Sequence, residues 1–201
     1  MSKLILGLDV STSCTGVCVI DSEIPPDDAG THIIKLDYID FKKCGTFFEK
    51  ADRVKNELIR HFSTIGTKPI IFALEEPLLG FSKGMSSAGT ITTLMRFNGI
   101  VSYIGREIFG IDPIYQSAAH ARKLCGVKLQ KTAIAGMSHK EQVFKHMSEN
   151  DLKHITWSTK KNGQPIDASR DMTDAYVIAR ATSLSYLLYK LTQVFNNVKS
   201  V

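Results

Sequence analysis

Four carboxylates in this 201-residue chain stand where apolar elements end or begin. Asp9 ends the run "LILGLDV", Glu75 ends "IIFALEEP", and Asp171 and Asp174 open "DMTDAYVIARA". The last two are spaced i, i+3, so on a helix they share a face. Strand ends and a helix start can converge on one side of a sheet, where four carboxylates in a low-dielectric cleft repel one another strongly. Divalent cations resolve that repulsion. Mg²⁺ takes hard oxygen ligands and keeps positions open for phosphate oxygens. Two such ions can activate a water and stabilise the leaving oxygen in phosphodiester hydrolysis. Each acid has a plainer reading too: Asp171 as a helix cap, Asp174 as a solvated first-turn acid, Glu75 or Glu76 as a surface charge. Asp9 resists this reading, because so apolar a strand has little reason to end in a carboxylate beside small hydroxyl residues.

The elements that must position these acids follow from periodicity. Lys3–Val10 and Gly16–Asp21 read as two strands joined by the short polar "STSCT", and "THIIKLDYID" alternates like a third, half-exposed strand. "SEIPPDDAG" between them is an exposed loop, broken by its prolines and Gly30. A first helix is expected in "EKADRVKNELIRHFSTIG", with Val54, Leu58, Ile59 and Phe62 on one face and Gly66 as its stop. "IIFALEEP" is a buried strand closed by Pro77, and "TITTLMRFNGIVSYIGREIFG" a long helix. "IDPIYQS" is a short fifth strand. Shorter helices follow in "AAHARKLCG" and "HKEQVFKHMSEN", then a polar loop "STKKNGQPIDASR" and a last helix from Asp171 to Leu191. The order predicts one α/β domain over residues 1–201 with a five-stranded mixed sheet.

Composition narrows the class. Hydrophobic residues make up 43% and charged residues 22% of the chain, values ordinary for a globular protein. No apolar run approaches a membrane span, and the run before Asp9 is too short for a secretory signal. The net charge of +5 is unevenly spread: residues 1–75 carry −2 and residues 76–201 carry +7. A basic second half suits a polyanion such as nucleic acid. The cysteines at 14, 18, 44 and 125 form no C-x-x-C pair, which argues against zinc. Cys14 and Cys18 read as small core residues, and a reducing cytoplasmic setting fits (the host cytoplasm for a viral chain).

With these residues assembled, the chain resembles the RuvC-type Holliday junction resolvases of the RNase H-like superfamily. Four stretches carry the likeness, in order, over roughly residues 3–182: "ILGLDVSTSCTGVCVID", "FALEEP", "GMSHKEQV" and "DMTDAYVIARA". The resemblance implies an RNase H-like fold with helices on both faces of the sheet. It also implies metal ligands at Asp9, Glu75, Asp171 and Asp174 for two Mg²⁺ ions, with Mn²⁺ as a substitute. Glu75 is preferred to Glu76 because it follows Leu74. Lys140 would stabilise the charge on the phosphate under attack. The implied activity is a Mg²⁺-dependent endonuclease that nicks Holliday junctions, and other branched DNA, in symmetric pairs.

The family's junction-wedging aromatic has no match at Leu78, so Phe81 is the expected wedge. Lys83, Arg122, Lys123, Lys128, Lys131, Lys160 and Lys161, with Arg96 and Arg170, are expected phosphate contacts. The resemblance also implies a homodimer, whose interface would be the long helix with Leu94, Phe97, Ile100, Val101 and Ile104. The rival readings are a ribonuclease H acting on RNA–DNA hybrids and a non-catalytic binder of branched DNA. A two-domain sugar kinase or actin-like ATPase would share the first hairpin but needs a longer chain.

Overall fold

A computed structural model describes residues 2–77 and 88–199. The first forty residues form an antiparallel meander, buried throughout its first two strands and half-exposed in its third. Leu4–Val10 (β1) pairs with Cys14–Asp21 (β2), Asp9 opposite Gly16, and β2 pairs with Ile33–Asp40 (β3). Ser11 closes the first hairpin: its hydroxyl accepts the Cys14 amide N–H at 3.2 Å and donates to the Cys14 carbonyl at 2.6 Å. β2 therefore begins at Cys14, two residues before the start that periodicity predicts.

Thr46 and Glu49 form a capping box that starts α1 (Phe47–Ile65), and Gly66, at φ 77°, ends it in the left-handed region where a side chain is strained. Ile71–Glu75 (β4) then runs parallel to β1, with Leu8 beside Leu74. After α2 (Ala88–Phe109), Ile114–Gln116 (β5) runs parallel to β4. The five strands lie in the order β3-β2-β1-β4-β5, the mixed sheet that the sequence predicts. The remaining helices are α3 (Ala118–Leu124), α4 (Thr132–Ala135), α5 (His139–Glu149) and α6 (Asp167–Lys199). The short α4 lies in a stretch to which the sequence assigns no element, and a bridge between Thr159 and Pro165 lies within the expected polar loop.

Strand parity divides the core in two. Leu4, Leu6, Leu8, Val17, Val19, Phe72 and Leu74 face α1 and α2, where they pack on Val54, Leu58, Phe97 and Val101. Ile5, Cys18 and Ile20 face α6, where Ala175, Tyr176 and Ala179 cover them. Two glycines let α6 lie unusually close to the sheet. A Cβ on Gly7 would sit 2.5 Å from the Ala175 carbonyl oxygen, and one on Gly16 would collide with the Asp171 carbonyl.

Two expectations about helices need correction. The last helix starts at Asp167, one turn before Asp171, and continues to Lys199. Asp167 takes the first-turn place, accepting from Lys160 at 2.8 Å and Arg170 at 3.1 Å. Asp171 is therefore not a cap. On α2, Phe97, Val101 and Ile104 are buried in the chain's own core, and the exposed residues include Met95, Gly99 and Tyr103. Among the described residues, no helix is long and apolar enough to cross a membrane.

Candidate active site

The same strand parity that sorts the core builds the site. Asp9 points to the α6 face, like Gly7 and Ile5 before it. One residue beyond the Leu8–Leu74 register, Glu75 ends the neighbouring parallel strand on that face. Glu75 is half-buried, whereas Glu76 is exposed and lines a surface cleft with Met95 and Asn98 of α2. The Asn98 amide donates to the Glu75 carbonyl at 3.2 Å and pins the strand end from behind. Asp171 and Asp174, a turn apart on α6, face the strand ends. The close approach allowed by Gly7 and Gly16 is what lets such short side chains reach the strand carboxylates.

Lys140 enters from a fourth element. Ser138 and Glu141 form a capping box that fixes the start of α5 and so places Lys140 in its first turn. Arg170 of α6 reaches Glu141 at 3.6 Å and ties the two helix starts together. A cation in the first turn opposes the helix dipole at a cost of about 0.3–1 kcal/mol. The carboxylates offset it: the ammonium is hydrogen-bonded to Asp171 and stands 3.4 Å from Asp9 and 3.5 Å from Asp174. Arg122, on α3, has its guanidinium 4.0 Å from Asp174.

The charges do not balance. Burial pushes the carboxyl of Asp9 up to about 7, with Asp174 and Asp171 adding to the shift and Lys140 opposing it. Burial likewise raises Glu75 to about 7 and Asp174 to about 6, and Arg122 opposes both shifts. Burial disfavours the Lys140 ammonium, but Asp9, Asp174 and Asp171 outweigh that and hold it firmly protonated. Among the described residues, no three acid, histidine or cysteine side chains form a ready-made cation cage; the three aspartates are gathered on the lysine nitrogen instead, and Glu75 stands outside that group. The donor set nonetheless fits a hard divalent cation, being all carboxylate oxygen, largely buried and short of positive charge.

Sequence reasoning missed Cys14 as part of this group. Its thiol hydrogen-bonds the second oxygen of Asp171. Burial, then the bond to Asp171, pushes the thiol well above its usual pKa, so it is a proton donor. The signal was in the hairpin: Asp9 pairs with Gly16, so Cys14 lies two residues along on the same face. Arg122, expected on phosphate, also faces the carboxylates. Lys123, Lys128, Lys131 and Lys161 are exposed, while Lys160 is paired with Asp167. Phe81 and Lys83 lie outside the described residues.

No protein-family model matches the sequence, and no curated protein matches it. Solved structures do match by shape. Thermus thermophilus RuvC in complex with a Holliday junction substrate covers 92% of this chain and 96% of its own, at a TM-score of 0.60 and 11% identity. Another Thermus thermophilus RuvC structure gives a TM-score of 0.54 with 14% identity and the same coverage. The yeast mitochondrial Holliday junction resolvase Ydc2 covers 96% of this chain and 85% of its own, at 0.50 and 13%. Along more than nine-tenths of its length, this chain thus has the RNase H-like fold of RuvC and Ydc2.

Proposed function

We propose that the chain is a Mg²⁺-dependent endonuclease that resolves Holliday junctions, and other branched DNA, by paired symmetric nicks. The observation that carries this reading is the gathering of Asp9, Asp171 and Asp174 round one ammonium on a resolvase-like sheet. Asp9, Glu75, Asp171 and Asp174 would hold two Mg²⁺ ions, or Mn²⁺ in their place. Bound there, the ions lower the pKa of an attacking water and neutralise charge developing on the phosphate. Asp9 sits on a strand end and the two α6 aspartates on a helix, so the ligands reorganise little on binding. Lys140, released from the carboxylates, donates to a phosphate oxygen. Lys123, Lys128, Lys131 and Lys161 supply backbone contacts to DNA beside the site.

Paired nicks require two sites. The outer face of α2 offers a surface on which two copies can meet: Met95 and Tyr103 are exposed, and Gly99 between them has open space above it. The homodimer is part of the proposal.

The test offers labelled four-way junction, flap, linear duplex and RNA–DNA hybrid to the purified protein with Mg²⁺. Preferred, paired cutting of the junction is expected. Preferred cutting of the hybrid would point to a ribonuclease H instead, and binding without cutting to a non-catalytic junction binder. Asp9→Asn and Asp174→Asn should each lower the cleavage rate on the order of 10²-fold or more while junction affinity holds or rises. Variants that cut like the parent would remove the metal-site assignment.

A further inference from the structure

Of the two oxygens of Asp171, one faces the centre of the site and bonds Lys140, and the other accepts the Cys14 thiol. The backbone of Cys14 is itself held by Ser11. Its amide donates to the Ser11 hydroxyl, and its carbonyl accepts from that hydroxyl and from the Ser11 amide at 3.2 Å. The Lys50 ammonium donates to the Thr12 carbonyl at 2.7 Å and ties the same turn to α1. β2 pairs Cys14 with Asp40, which sets its side chain on the α6 face beside Gly16. The residue is 8% exposed.

From this geometry we infer that Cys14 is a positioning residue for the cation site. Its thiol engages one Asp171 oxygen and fixes the carboxylate plane, so that the other oxygen is aimed at the centre. The inference rests on the cation-binding part of the proposed function. A carboxylate on a helix turns about two side-chain torsions, and locking it before the cation arrives removes part of the ordering cost. A neutral donor suits the task, since it occupies one oxygen without adding a positive charge that would compete with the cation.

The experiment compares the parent, Cys14→Ala and Cys14→Ser. Mn²⁺ binding to the DNA-free protein is followed by electron paramagnetic resonance, thermal stability by calorimetry, and junction nicking against Mg²⁺ concentration. Cys14→Ala should weaken Mn²⁺ binding about 10-fold and raise the Mg²⁺ needed for half-maximal nicking, with a melting temperature near the parent's. Cys14→Ser, which keeps a donor, should restore most of the Mn²⁺ affinity. Equal Mn²⁺ affinity in Cys14→Ala and the parent overturns the inference, and so does an equal loss in both variants. A parent that binds Mn²⁺ but nicks no branched DNA would remove the proposed function and leave the assignment of Cys14 intact. A parent that binds no Mn²⁺ overturns both.

Discussion

At Lys140 one ammonium answers three carboxylates, and the sign of each substitution follows. Taking away the lysine leaves Asp9, Asp171 and Asp174 facing one another, while taking away one carboxylate relieves a group that burial already disfavours. Lys140→Met should therefore destabilise the metal-free protein by about 1–2 kcal/mol, less than for a fully buried pair because the lysine is partly solvated. Asp9→Asn should raise the metal-free melting temperature, as expected where function holds a strained charge set. Calorimetry in chelator and then in Mg²⁺ checks both: added Mg²⁺ should stabilise the parent and do little for Asp9→Asn. A metal-free Asp9→Asn protein less stable than the parent would contradict this charge balance.

At the scale of elements, the site depends on how closely α6 lies on β1 and β2. Among the described glycines, Gly7 and Gly16 are the two where a side chain would meet helix backbone rather than a movable side chain. Gly16→Ala should push the Asp171 end of α6 off the hairpin and cost about 1–3 kcal/mol. The loss of junction cleavage should exceed what the fraction of unfolded protein explains, because Asp171 and Asp174 move away from Asp9 while the rest of the sheet stays paired. Circular dichroism, melting and cleavage measured on one preparation separate the two effects; activity falling only in step with unfolding would contradict the close-approach argument. The capping box at Ser138 is a second such device, since it decides which residue of α5 faces the carboxylates.

On the scale of the whole molecule, the two cores bury histidines that the site does not use. His61, 3% exposed on α1, has its pKa lowered by burial, with Asp37 opposing and Lys35 and Arg60 adding to the shift. His32, 1% exposed, is lowered by burial and by Arg180. Tyr176 donates to Asp151 at 2.8 Å, so its oxygen accepts from His32 Nε2 at 3.0 Å, which leaves Nδ1 unprotonated and without a partner. A histidine whose folded pKa lies below its unfolded value of about 6.5 binds fewer protons when folded. Its contribution to stability is whole above that pH and is lost as pH falls toward the folded pKa. The raised carboxyls of Asp9, Glu75 and Asp174 tilt stability the other way, so the test is a difference. Between pH 7.5 and 5.5, His61→Gln should lose less melting temperature than the parent; parallel curves would contradict the assignment.

The proposed dimer belongs to this scale too. Tyr103→Lys should shift the protein to a monomer in sizing chromatography. It should also replace paired junction nicks by single ones, with the melting temperature little changed because Tyr103 is 66% exposed. A parent that resolves junctions as a monomer would contradict it.

Much of this was legible in the sequence, because it depends on local pattern. The apolar runs that end at Val10 and Asp21, the alternation of "THIIKLDYID", the short runs "IIFAL" and "IDPIYQS" and the spaced acids of "DMTDA" determined five strands and four carboxylates at element ends. The pattern "HKEQVFKHMSEN" placed Lys140 at the start of a helix, and the structure adds the Ser138–Glu141 capping box that holds it there. Other features depend on distance between segments, which one sequence does not encode in any local window. The start of the last helix moved to Asp167 because a lysine seven residues back and an arginine three ahead satisfy that acid. The apolar residues of α2 turned inward because its own sheet was there to cover them. Cys14 passed for a small core residue until the hairpin register and the depth of α6 put its thiol against Asp171, 157 positions along the chain. The sequence alone determined which groups could do chemistry; only tertiary packing decided which atoms of those groups face one another, since two glycines set the separation between helix and sheet.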